Sequence, residues 1–213
     1  MTRILLIRHG QSTANVEKIF AGNFNSPLSE LGMLQSERTA EYIAENYKVD
    51  KIYSSDLERA LSVGKAIGDK LHIDVTAQKN LREISAGLWE GCSFEELYER
   101  FPSYRDVWLN DIGNATCDGG ESVAQLQKRF VSAVTDIAEA NYGKTVVITT
   151  HATSIRVMQC FCEKKTLDEM KNVPWVSNAS VTELEYTGGE FSIVRVGYDA
   201  HLGECVSRLP SNV

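Results

Sequence analysis

The chain has 213 residues, 43% of them apolar and 24% charged, and a formal net charge of −7. A chain of that size can bury a full core without disulfides or a structural metal. The acidic balance excludes a broad basic face for nucleic acid or anionic lipid, so an anionic ligand has to be held by a few local arginines.

In chain order, residues 3–8 are short, apolar and β-branched, as in a buried strand. Residues 29–47 open on Ser29 and Glu30, a helix-cap pattern, and carry Leu31, Leu34, Ala40 and Ile43 at helical spacing. A second short strand is expected at 52–54. A helix follows over 57–71, with Leu57, Ala60, Leu61, Gly64 and Ile67 on one face. A weak strand is expected near 73–76. Residues 93–111 predict two short helices split at Pro102. The turn Gly119-Gly120-Glu121-Ser122 leads into a long helix over 122–141, whose apolar positions are Val123, Leu126, Phe130, Val134 and Ile137. Thr145–Thr150 is the clearest buried strand, and 152–162 is helical. Residues 180–187 and 190–196 are β-rich and joined at Gly188-Gly189, a hairpin signal. No element is assigned to 197–213.

Short strands alternating with helices predict a three-layer α/β/α fold, with a mostly parallel central sheet and a C-terminal antiparallel hairpin. With four prolines and no linker or repeat, the expectation is one domain over 1–213, with a helical or loop cap around 92–118. The five cysteines (Cys92, Cys117, Cys160, Cys162, Cys205) form no C-x-x-C pair. They are expected as free thiols in a reducing cytoplasm. The N-terminal apolar run is too short for a signal peptide and is broken by Arg8, and no stretch reaches membrane-spanning length. A soluble, cytoplasmic protein is expected, without membrane or nucleic-acid partners. The hairpin or an outer strand offers an edge for a homodimer, though nothing demands one.

Two strands end in histidine, in Arg8-His9-Gly10 and Thr150-His151. Ligands bind at the carboxyl ends of strands in parallel sheets, so both histidines point to the site. His72 and His201 lack such a context. Arg59 falls in the first turn of the helix after the second strand, near the same edge. Guanidinium groups bind phosphate oxygens bidentately, and a helix N-terminus adds its own attraction for anions. The four histidines show no metal-ligand spacing such as H-E-x-x-H. There is no G-x-x-x-x-G-K-[ST] loop, and no cysteine precedes an arginine by six positions as a cysteine phosphatase requires.

Leu6-Ile7-Arg8-His9-Gly10-Gln11-Ser12 with Asn15 resembles the R-H-G signature of the histidine phosphatase, or phosphoglycerate mutase-like, superfamily. Further segments agree in order: Ser26–Gly32 with Gln35, Ser54–Ala60, Leu81–Ile84 with Gly87–Gly91, Gly119–Ser122, Thr150-His151 with Ile155-Arg156, and Asn178–Val181. The resemblance implies a metal-independent phosphomonoester hydrolase with no cofactor, acting on a small phosphorylated metabolite. It implies that His9 becomes phosphohistidine, that Arg8, Arg59 and His151 hold the phosphoryl oxygens, and that Glu83 is general acid and then base. Asn15, Gln11, Ser12 and Ala152 would bind substrate, with the backbone at Gly22 and Asn23. Ala152 departs from the glycine often found after the second histidine, but its amide still donates. Two alternatives stay open: cofactor-dependent phosphoglycerate mutase-type transfer, and a non-catalytic phosphate-binding domain. The run Phe94, Leu97, Tyr98, Phe101, Tyr104, Trp108 and Leu109 either roofs a pocket for a less polar alcohol or packs on the sheet. In place of the Lys- and Arg-rich insertion of the mutases, it favours the phosphatase.

Overall fold

The computed structural model describes residues 1–208. The strands are β1 (Thr2–Arg8), β2 (Lys51–Ser54), β3 (Val75–Ala77), β4 (Thr145–Thr150), β5 (Val181–Thr187) and β6 (Glu190–Tyr198). They form one six-stranded sheet in the order β3-β2-β4-β1-β5-β6. β3, β2, β4 and β1 run parallel, while β5 and β6 are antiparallel. The helices are α1 (Thr13–Val16), α2 (Glu30–Asn46), α3 (Glu58–Leu71), α4 (Phe94–Arg100), α5 (Val123–Ala140) and α6 (Ala152–Cys162).

The period-two alternation of β1 divides the core into two layers. Leu5 and Ile7 face Ala40 and Ile43 of α2 and Val63 and Ile67 of α3. Ile4 and Leu6 share the other layer with Leu126, Phe130 and Val134 of α5 and Ile155 and Met158 of α6. This is the three-layer α/β/α architecture expected, with the antiparallel pair at its C-terminal edge. The helix starts follow local chemistry. Ser29 accepts from the Gly32 amide at 3.1 Å, and Ser93 and Ser122 form capping boxes with Glu96 and Gln125.

Four differences from the sequence reading have tertiary causes. The weak third strand lies at 75–77, because the end of α3 continues through left-handed His72 (φ 56°) and the Ile73 amide bonds Gly68. After Pro102 the chain forms a wide π-type turn over Ser103–Trp108, not a second α-helix. α1 is a single turn capped by Ser12 and Asn15, too short to show periodicity. Within 197–213, β6 runs on to Tyr198 and Ala200–Cys205 forms helical turns. Burial of Leu202 and the Arg38 bond to its carbonyl at 2.5 Å hold those turns. Residues 209–213 lie outside the described residues.

Candidate active site

Because β1, β4 and β2 are parallel and in register, their carboxyl ends coincide. The His9 amide donates to Thr150 O at 2.9 Å, and the Ser55 amide to Thr149 O at 2.9 Å. The two imidazoles meet with ring centroids 5.3 Å apart. The glycine after His9 has a packing reason. A Cβ on Gly10 would lie 2.5 Å from the Gly32 carbonyl oxygen, and one on Gly32 would lie 2.0 Å from that of Gln11. The two motif glycines therefore let the loop after β1 seat directly on α2.

Arg8, His9, Arg59 and Glu83 line one cavity with Asn15, Gly22 and Ala152. Its volume is about 70 Å³. A single water needs roughly 10–15 Å³, so the cavity admits a phosphoryl group and the first atoms of an ester.

Arg8 and Arg59 are each 1% exposed. Arg8 donates through Nη1 to Val176 O at 2.6 Å. Arg59 donates to Phe24 O at 2.9 Å and Gly22 O at 2.7 Å. Both Nε atoms are buried without a partner. Among the described residues neither guanidinium has a carboxylate within ion-pair distance. Burial pushes both groups down to about 10, with the charge of Glu83 opposing. Two buried, unpaired cations beside each other are costly unless an anion joins them. The arrangement is suited to receiving an anion.

The same field sets the imidazoles. Burial, then Arg59 and Arg8, hold His9 well below the usual imidazole range. Its Nδ1 lies 2.7 Å from Gly10 O, an acceptor only, so Nδ1 carries the hydrogen and Nε2 keeps its lone pair. His151 is likewise held down by burial, then by Arg59 and His9. Its Nε2 lies 2.8 Å from Ser55 Oγ, and its Nδ1 is buried without a partner.

Glu83 accepts from the Ile84 amide at 2.9 Å and from the Thr153 amide, in the first turn of α6, at 3.0 Å. Its loop is tied to α5. Arg129 donates to Glu83 O at 3.1 Å and forms a bidentate pair with Glu121. Glu121 in turn accepts from the Ser85 amide at 2.8 Å. Asn15 Oδ1 accepts from the Ser12 amide and from Asn178 Nδ2, which leaves its own amide hydrogens free. Asn178 Nδ2 also bonds the His9 carbonyl at 3.1 Å.

The structure gathers most of the residues singled out in the sequence, but not all. Gln11 and Ser12 do not line the cavity; Gln11 Oε1 accepts from Ser29 Oγ and Ser12 caps α1. Gly22 lines the cavity, whereas Asn23 lies beside it, its amide donating to Glu90 at 2.9 Å. His151 is fully buried beside His9, its Nε2 against Ser55 Oγ. The sequence reading missed Ser55, Asn178, Glu90 and Arg129 as supports. For Ser55 the signal was present, since it follows β2 at the sheet's carboxyl edge. Among the described residues no cluster of His, Cys, Asp or Glu is arranged to hold a metal ion, and no helix is long and apolar enough to cross a membrane.

The sequence pattern of the histidine phosphatase superfamily (branch 1) matches residues 4–199. The chain belongs to this superfamily. This histidine phosphatase is 30% identical to a putative phosphoserine phosphatase 2 of Hydrogenobacter thermophilus, over 94% of the chain and 98% of the relative. It superposes on Bacillus stearothermophilus YhfR with a TM-score of 0.89 at 30% identity, covering 95% of this chain and 100% of that one. A variant of phosphoserine phosphatase from Entamoeba histolytica, solved with phosphoserine, matches with a TM-score of 0.83 at 26% identity, over 95% of this chain and all (100%) of that one. The chain is thus an enzyme of the histidine phosphatase type, similar to phosphomonoester hydrolases.

Proposed function

We propose that this histidine phosphatase hydrolyses a small phosphomonoester in two steps through phosphohistidine at His9. The observation that carries the reading is His9, its Nδ1 2.7 Å from the Gly10 carbonyl, lining one cavity with two buried guanidiniums that have no carboxylate partner among the described residues. Nε2 attacks phosphorus, the phosphorus–oxygen ester bond breaks, and protonated Glu83 gives its proton to the leaving alkoxide. Water then attacks the phosphoryl-histidine, Glu83 takes its proton, and the phosphorus–nitrogen bond breaks to release phosphate and restore the Nε2 lone pair. Arg8 and Arg59 neutralise the equatorial oxygens, where charge spreads in phosphoryl transfer. Asn15 and the Ala152 amide donate to the same oxygens. With Ser55 donating to Nε2 of His151, the ring hydrogen of His151 sits on Nδ1, a further phosphoryl donor.

We read residues 1–208 as one working unit in which the 92–118 segment caps the cavity through Phe94 and Trp108. That segment also bears on the mutase alternative. A second phosphoryl carrier needs further cations in the cavity, and among the described residues Arg8 and Arg59 are the only Lys or Arg side chains lining it. Hydrolysis is therefore favoured over transfer to a second hydroxyl. Turnover of p-nitrophenyl phosphate in the presence of a chelator tests the reading, with His9→Ala as control. Wild-type activity that His9→Ala abolishes is expected; binding of phosphate without turnover of any monoester overturns it. Phosphoglycerate supplied with bisphosphoglycerate tests transfer, and release of phosphate rather than isomerisation is the expected outcome.

A further inference from the structure

The imidazole of His9 takes its orientation from a single peptide group. Its Nδ1 donates to the Gly10 carbonyl at 2.7 Å, and the amide of the same planar unit, on Gln11, donates to Gln35 Oε1 at 2.8 Å. On the other side of the nucleophile, the His9 carbonyl accepts from Asn178 Nδ2 at 3.1 Å. Gln35 and Asn178 are 0% and 1% exposed, so neither side-chain amide can exchange a lost partner for bulk water.

The two amides meet at Ser207. Gln35 Nε2 donates to Ser207 Oγ at 2.9 Å, and Ser207 Oγ donates to Asn178 Oδ1 at 3.2 Å. The ends of this path fix its direction, because a backbone amide only donates and a carbonyl only accepts. The Gln11 N–H holds the oxygen of Gln35 towards itself, so the nitrogen of Gln35 faces Ser207. The His9 carbonyl holds the nitrogen of Asn178, so the oxygen of Asn178 faces Ser207. The side chain at 207 therefore has to accept one hydrogen bond and donate another, which a hydroxyl does. The result is a closed ring that runs from Gln11 through Gln35, Ser207 and Asn178 back to His9, with the nucleophile loop as one side. The C-terminal segment is anchored beside it. Asn178 N–H donates to Ser207 O at 2.9 Å, and Gln35 Nε2 donates also to Cys205 O at 2.6 Å.

We propose that Ser207 is a positioning residue for phosphoryl capture. Its hydroxyl ties the Gly10–Gln11 peptide to the His9 carbonyl, and so holds the line along which His9 Nε2 meets phosphorus. The inference rests on the phosphohistidine reading above and adds the C-terminal segment to the machinery of that step. Among the described residues Ser207 is the only donor to Asn178 Oδ1. Without the hydroxyl that oxygen is buried and unpaired, and the ring loosens at the nucleophile. Asn15 is held separately by the Ser12 amide at 3.1 Å, so the grip on the phosphoryl oxygens persists.

The test follows phosphoryl transfer from p-nitrophenyl phosphate to the full chain in a single turnover, by nitrophenol release and by enzyme-bound phosphate after a rapid quench. Enzyme is in saturating excess, so an unfolded fraction does not change the rate constant. Ser207→Ala should lower that rate constant about fivefold, the worth of one hydrogen bond. Ser207→Thr keeps a group that accepts and donates, and should stay within about twofold of wild type. The dissociation constant of inorganic phosphate should change by less than about twofold in both variants, since every hydrogen bond from Arg8, Arg59 and Asn15 is kept. A wild-type rate in Ser207→Ala, a threonine variant as slow as the alanine variant, or a loss of phosphate affinity as large as the loss of rate overturns the proposal. Rapid capture at His9 with no effect at Ser207 removes this inference alone, whereas a wild type in which no phosphoryl group reaches His9 removes the reading beneath it as well.

Discussion

The floor and the wall of the cavity are built by different means. Arg8, His9 and His151 sit on or directly after strands whose register fixes them, and Arg59 lies in the first turn of α3. Backbone carbonyls at Val176, Gly22 and Phe24 aim the two guanidiniums. The wall rests on short helical turns, chiefly α4 and Ser103–Trp108, locked by aromatic edge contacts around Phe20 and Trp89. A charge-stabilising floor needs sub-ångström placement, which sheet edges supply. A wall that admits one alcohol and not another needs shape, and shape can be changed by a few side chains without disturbing the chemistry. Substitutions in the floor should therefore lower turnover for every ester, and substitutions in the wall should redistribute it among esters.

The largest effect is expected at His9. His9→Ala should lower kcat for all monoesters by about 10⁴-fold or more, as loss of a nucleophile does elsewhere, measured by phosphate release across a substrate panel. Arg59→Ala or Arg8→Ala should cost roughly 10²–10³-fold in kcat/KM, the scale of a lost transition-state donor, again irrespective of the alcohol. A loss confined to one ester would move that arginine from floor to wall. Glu83→Gln should cost about 10²-fold or more on alkyl esters. It should cost far less in the first step on p-nitrophenyl phosphate, whose leaving group needs no proton; burst kinetics separate the two steps.

Smaller effects concern stability. In the folded protein His9 and His151 are held well below their ordinary imidazole value. Below about pH 6.5 the unfolded chain binds protons that the native state refuses. Stability from this source is full above pH 6.5 and falls as the pH is lowered below it. Melting temperatures between pH 7 and 5 should decline in the wild type and decline less steeply in His9→Asn and His151→Asn. Equal slopes would place these imidazoles in a wetter, less cationic setting. The smallest expected change is Ser55→Ala, which unties His151 from β2 and should reduce kcat about tenfold or less, the worth of one hydrogen bond.

The floor was also the more legible part of the sequence. Strand ends followed by Arg8-His9 and by His151 are visible in a short apolar run, and the parallel sheet brings such ends together. Glu83 was found only through its resemblance to a family segment, since its loop has no periodicity. The bonds that place it, from Arg129 and from the Thr153 amide, span 46 and 70 residues, beyond the reach of local pattern. Gln11 and Ser12 stood in the right motif but serve its geometry, because a turn so close to Gly32 uses their polar groups for its own hydrogen bonds. Gln35 illustrates the same point: it accepts from the Gln11 amide and donates to Cys205 O and Ser207 Oγ. That bond network joins both ends of the chain around His9. In the wall, the wide turn after Pro102 is a product of packing, so composition revealed an aromatic run but not that Phe94 and Trp108 would be the members of it lining the cavity.

Covalent capture by His9 is the step on which the cavity floor converges, and acid-sensitive labelling tests it directly. Mixing the enzyme with a monoester carrying radioactive phosphate, quenching within milliseconds and mapping the peptides should place base-stable, acid-labile label on the peptide containing His9. Label on a serine or cysteine peptide, or rapid turnover with no protein-bound phosphate at any time, would contradict it.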